Sequence, residues 1–147
     1  MYYLGVDPGA KGAFAIIHSD GTICVLEPFN KGEFVWHMDW LTHQQEKTIC
    51  CLERVHAMPK QGSVSMFTFG ENYGWLRGVL DMAEISYQEI APQTWKKEFN
   101  LNSDKTKSIE VAKQLFPKAN LVPAGCRKPQ DGLAEALLLS LYAQRKL

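Results

Sequence analysis

No apolar run in these 147 residues approaches the roughly 18 residues that a membrane span requires. The first thirty carry Asp7, Lys11, Asp20 and Glu27 in place of a basic start and an apolar stretch, so neither a membrane segment nor a secretory leader is expected. Cysteine is sparse. Cys24, Cys50, Cys51 and Cys126 show no CxxC spacing, which suits neither a zinc site nor a disulfide framework, and all four are expected to be reduced core residues in a cytoplasmic protein. Internal repeats and low-complexity tracts are absent, which excludes solenoids, and no linker divides the chain. A single domain over residues 1–147 is the expectation, with 46% hydrophobic residues to fill one core.

Net charge is lacking too. The formal sum is zero, which by itself argues against gripping a polyanion. The distribution of charge points the other way. Residues 91–128 hold eight basic side chains (Lys96, Lys97, Lys105, Lys107, Lys113, Lys118, Arg127, Lys128) against Glu98, Asp104 and Glu110, a local excess of +5. The rest of the chain therefore carries −5. Such a division lets carboxylates gather at a metal while lysines hold phosphates, although a solvated helix face gives the same count.

What is present along the chain is alternation of strand and helix signals. Residues 1–7 read as a buried strand closed by Pro8-Gly9, and residues 12–18 and 22–26 as two more strands around the Ser19-Asp20-Gly21 hairpin turn. Residues 31–46, with mixed apolar spacing, are expected to be a helix carrying Phe34, Trp36, Met38 and Leu41. Thr48–Glu53 is a short continuous apolar run of the kind found in central strands. A turn at residues 59–62 precedes a helix over 64–82, with Phe67, Tyr73, Leu76 and Leu80 available to the core. Then come a strand at 86–91, a short helix at 92–99, and a helix capped by Ser103 or Asp104 that runs to Phe116-Pro117. After a loop, Leu133, Ala136, Leu137, Ser140 and Leu141 recur at helical spacing in a final helix. This order predicts an α/β, RNase H-like fold: a mixed five-stranded sheet with helices on both faces.

Four carboxylates stand out. Asp7 and Glu53 each end a strand, and if those strands are neighbours the two acids meet at one end of the sheet, where they repel unless a cation intervenes. Asp131 and Glu135 are four residues apart and share a helix face, with Gly132 and Ala134 leaving room beside them. Taken singly, each acid also has a plain role, as a turn residue or as a partner of the helix dipole. All-oxygen ligation suits magnesium, with manganese able to substitute.

Six segments in this order resemble the RuvC family of Holliday-junction resolvases, especially its compact phage and bacterial forms. They are Gly5-Val6-Asp7-Pro8-Gly9, Leu52-Glu53-Arg54-Val55, Gly70 to Gly78, Ala91-Pro92-Gln93-Thr94-Trp95-Lys96, Asp104-Lys105-Thr106-Lys107-Ser108 and Asp131-Gly132-Leu133-Ala134-Glu135-Ala136-Leu137. The resemblance implies a DNA endonuclease that cleaves four-way junctions by two-metal phosphodiester hydrolysis. Asp7, Glu53, Asp131 and Glu135 would be its catalytic metal ligands, with Asp7 bridging both ions. It further implies Lys96, Lys105 and Lys107 on DNA phosphates, a homodimer, and action in the cytoplasm of a bacterial cell, with a phage gene as one source.

The chain departs from the family at Glu135, where an Asp is usual, and at Gly132, where another acid or a His is common. His56 stands where cellular relatives place an aromatic that props open the junction, and Phe67 or Phe69 are alternatives for that wedge. Flaps, forks and RNA substrates fit the same chemistry. An actin-like ATPase, suggested by Gly5 to Gly12, would need a second such domain, and a binding module without activity would not need the full carboxylate set.

Overall fold

The computed structural model describes residues 1–56 and 60–147. Five strands, β1 (Tyr2–Asp7), β2 (Ala13–His18), β3 (Ile23–Pro28), β4 (Thr48–Glu53) and β5 (Ser86–Ile90), form one sheet in the order β3-β2-β1-β4-β5. The first three make an antiparallel meander. β4 and β5 then join on the other side of β1, each parallel to its neighbour. The helices are α1 (Lys31–Thr42), α2 (Ser63–Met82), α3 (Pro92–Glu98), α4 (Lys105–Leu115) and α5 (Asp131–Lys146).

Strand alternation sorts the side chains into two cores, one on each face of the sheet. Leu4, Val6, Phe14, Ile16, Cys50 and Leu52 face α1 and α2 and pack with Phe34, Met38, Leu76 and Leu80. Ala13, Ala15, Ile17 and Cys51 face the other way, toward Trp95, Ala112 and the apolar residues of α5. Helices thus cover both faces. No helix among the described residues is long and apolar enough to cross a membrane.

α5 lies so close to β1 that a Cβ on Gly5 would fall 2.2 Å from the Ala136 carbonyl oxygen and 2.3 Å from the Ser140 amide nitrogen. Only glycine permits that approach. At the start of α5, a Cβ on Gly132 would fall 2.5 Å from the Lys11 carbonyl oxygen, so a second glycine sets how deeply the helix end sits beside the β1–β2 turn.

Several expectations are corrected. α1 ends at Thr42, capped at His43, and does not run to Glu46. Trp36 is 61% exposed, whereas His37 is buried, because the inward stripe is Phe34, His37, Met38 and Leu41, the i, i+3, i+4, i+7 set, and Trp36 falls off it. Phe67 is 70% exposed, because α2 turns only its later part, at Leu76 and Leu80, fully into the core. Cys50 and Cys51 are buried, but Cys24 and Cys126 are exposed, and all four are free. The turn expected at 59–62 begins with Pro59, outside the described residues, and Gly62 is the N-cap of α2.

Candidate metal centre

β1 and β4 are neighbours, paired in parallel from Tyr2 opposite Thr48 to Val6 opposite Leu52. One residue further along each strand stand Asp7 and Glu53. Both share the face of Gly5 and Cys51, the face covered by α5. α5 starts above this same edge of the sheet, and its first two turns bring Glu135 down to the two strand ends. Asp7, Glu53 and Glu135 each present a carboxylate oxygen, all within 4.8 Å of one another.

The surroundings hold these acids in place without neutralising them. Glu53 accepts the indole N–H of the fully buried Trp95, with Nε1 2.7 Å from Oε2. Glu135, 7% exposed, takes a 3.5 Å hydrogen bond from Ser108 Oγ on its Oε1, and Lys96 Nζ lies 3.5 Å from the same oxygen. Asp131 sits one helical turn earlier and is half-exposed; it is not part of the trio, and its Oδ2 lies 3.4 Å from Lys105 Nζ.

Three acids with one lysine beside them leave a surplus of negative charge. Asp7 responds to it most: burial, then repulsion from Glu53, Glu135 and Asp131, push its carboxyl up to about 9, so that it holds a proton, despite the opposing pull of Lys96. Burial also raises Glu53, partly offset by the Trp95 hydrogen bond, with repulsion from Glu135 and attraction to Lys96 adding smaller effects. A divalent cation would remove this frustration. The three oxygens, all within 4.8 Å of one another, lie close enough for one ion to draw them together. The donor set is all oxygen, which is the chemistry of magnesium and manganese.

Glu27, Glu33 and His37 form a second group within the same reach. His37 Nε2 lies 3.5 Å from Glu27 Oε2, but its buried Nδ1 has no partner among the described residues. A metal-bound imidazole normally hands its other N–H to an acceptor. The group therefore reads as a charged corner joining β3 to α1.

The residues expected on DNA fall into two groups. Lys96 on α3 and Lys105 on α4 already reach the acidic cluster through Glu135 and Asp131. Lys107 is exposed on α4 and His56 is exposed just past Glu53; neither is brought into the trio. Phe69 is half-buried at a groove between α2 and the Pro8–Ala10 turn. Trp95 and Ser108 lie within the RuvC-resembling segments, where the sequence alone assigned them no role. A buried tryptophan must find an acceptor for its N–H, which was the available signal for the first of them.

No family model matches this sequence, and no curated protein does. Solved structures do. Thermus thermophilus RuvC in complex with a Holliday junction substrate superposes with a TM-score of 0.61 at 14% identity, covering 99% of this chain and 97% of that one. A second structure of Thermus thermophilus RuvC gives 0.58 at 15%, covering 99% and 96%. This chain has a RuvC-like fold. The RuvC-like layout, a mixed five-stranded sheet with helices on both faces, is the one expected from the order of the sequence elements.

Proposed function

We propose that this chain is a divalent-metal-dependent endonuclease that cleaves branched DNA, with the four-way junction as its substrate. The observation that carries the reading is the convergence of Asp7, Glu53 and Glu135, from three distant segments, at one edge of a RuvC-like sheet. Nothing in the folding of either core calls for three acids there.

In this reading Asp7, Glu53 and Glu135 hold magnesium, and Asp131 lends charge from one turn away. Magnesium, when bound, supplies the positive charge that activates water and offsets negative charge on the scissile phosphate. The protein's part is placement. The strand ends fix Asp7 and Glu53, α5 brings Glu135 to them, and burial limits their movement. Lys96 and Lys105 flank the acids on α3 and α4, within the stretch of excess positive charge, and a DNA phosphate arriving there exchanges their carboxylate contacts for its own. Lys107 extends that basic strip along α4, and His56, exposed three residues past Glu53, is the further side chain assigned to DNA in this reading. Two copies acting as a homodimer would cut two strands symmetrically, in the cytoplasm where such junctions arise.

The test is a panel of end-labelled substrates, namely a four-way junction, a flap, a fork, an RNA–DNA hybrid and linear duplex, each with magnesium or chelator. Paired symmetric cuts near the crossover, only with magnesium, are the expected result. Cutting of the hybrid or flap with the junction ignored would keep the metal chemistry and reject the substrate. No cutting at all would leave a binding module.

A further inference from the structure

Glu53 has two carboxylate oxygens, and among the described residues one of them, Oε2, accepts a hydrogen bond. The register of the sheet explains how. Glu53 pairs with Ile90 at the end of β5, and α3 begins two residues later at Pro92, whose fixed φ suits the first position of a helix. One turn onward the chain has come back over the end of β4, which puts Trp95 against Glu53. The indole is fully buried, sits 6.4 Å from the Phe99 ring in an edge-on arrangement, and donates to Oε2 at 2.7 Å, short for an N–H···O bond and in the range of charge-assisted ones.

We infer that Trp95 is a positioning residue that favours coordination by Glu53 through Oε1 alone, and so tunes the centre toward magnesium and against calcium. The inference rests on reading Asp7, Glu53 and Glu135 as a metal centre. Calcium takes six to eight oxygens at longer distances and often uses both oxygens of a carboxylate, whereas magnesium accepts near-octahedral geometry with one oxygen per carboxylate. With one lone pair of Oε2 taken by the indole, two-oxygen coordination by Glu53 would have to share Oε2 between the N–H and the ion, weakening a buried hydrogen bond. Single-oxygen coordination leaves that bond intact, and the carboxylate stays fixed before the ion arrives. Had the indole served only to satisfy its own N–H, the bond would support the fold but have no bearing on which ion binds.

The experiment is calorimetric titration of the full chain with magnesium and, separately, with calcium, for the wild type, Trp95→Phe and Asp7→Asn. Phenylalanine keeps most of the ring and deletes the N–H. The expected result is a roughly tenfold or greater loss of magnesium affinity, as for other outer-shell partners, with calcium affinity held or increased, so that the magnesium-to-calcium ratio falls about tenfold. Equal losses for both ions, or no change in either, would reduce Trp95 to a structural role and overturn the proposal. Wild-type protein that binds neither ion, or binds them as well with Asn at position 7, would instead overturn the metal centre itself. If Trp95→Phe does not fold, nuclear magnetic resonance of the wild-type indole N–H, assigned through its contact with Phe99, decides the matter. Slow exchange that persists at saturating magnesium supports the proposal, and release of the N–H by magnesium contradicts it.

Discussion

In the presence of chelator, acidification should stabilise this protein, chiefly through Asp7. In the unfolded chain Asp7 titrates near 3.8; in the fold its carboxyl is pushed up to about 9, first by burial and then by Glu53, Glu135 and Asp131. Between those two values the folded state holds a proton that the unfolded state has released. The resulting stability is fully present below the unfolded value and is lost as pH rises through the folded one. A full proton of difference is worth about 1.4 kcal/mol per pH unit, so moving from about pH 5 to about pH 8 removes up to ~4 kcal/mol, or roughly 10 °C in Tm for a chain of this size. Water entering the open side of the centre lowers that figure. Glu53 and His18 are also raised, His18 through its contacts with Glu46 and Asp20, and they push stability the same way. The assay is therefore comparative: thermal melts in chelator at both pH values for wild type and Asp7→Asn. Asparagine keeps the shape and cannot ionise, so the variant should lose most of the slope and melt above the wild type at the higher pH. Magnesium should raise the wild-type Tm there and leave the variant nearly unmoved. A wild-type Tm equal at both pH values, or an unchanged slope in Asp7→Asn, refutes the reasoning.

Gly5→Ala drives a methyl into the backbone of α5; calorimetric unfolding should show a loss of at least the ~1–3 kcal/mol typical of overpacking. Glu135→Gln should weaken manganese binding, followed by electron paramagnetic resonance, far more than Asp131→Asn, because only Glu135 joins the trio; the reverse order would reassign the ligands. Replacing Lys105 or Lys107 with Ala should reduce the salt dependence of junction binding in gel shifts by nearly one unit of log–log slope each, as expected when one phosphate contact is lost.

Much of the fold was legible because the local signals agree. The apolar run of Ile49 to Leu52 announces a strand covered on both faces, and its place beside β1 follows from the order of elements. The carboxylate pair at the strand ends was legible for the same reason, since each acid closes a run of apolar strand residues. The pairing on α5 was legible only in part. A four-residue spacing puts Asp131 and Glu135 on one face, but the helix is buried almost all round, so a single turn separates an inward Glu135 from a half-exposed Asp131. Which face of α1 turns inward was not legible, because the helix has little amphipathic contrast and its inward stripe includes a histidine. Trp95 could be recognised as core, but its bond to Glu53, 42 residues away, depends on the docking of α3 beside β4, which local pattern does not encode.

Metal-dependent junction cleavage is tested most directly by one measurement: single-turnover cleavage of a labelled four-way junction by wild type and Asp7→Asn, with magnesium or chelator, alongside binding of the same junction in calcium. Paired cuts by the wild type in magnesium alone, with Asp7→Asn inactive yet still bound to the junction, is the result predicted. Cleavage that survives chelator or the loss of the Asp7 carboxylate would contradict it.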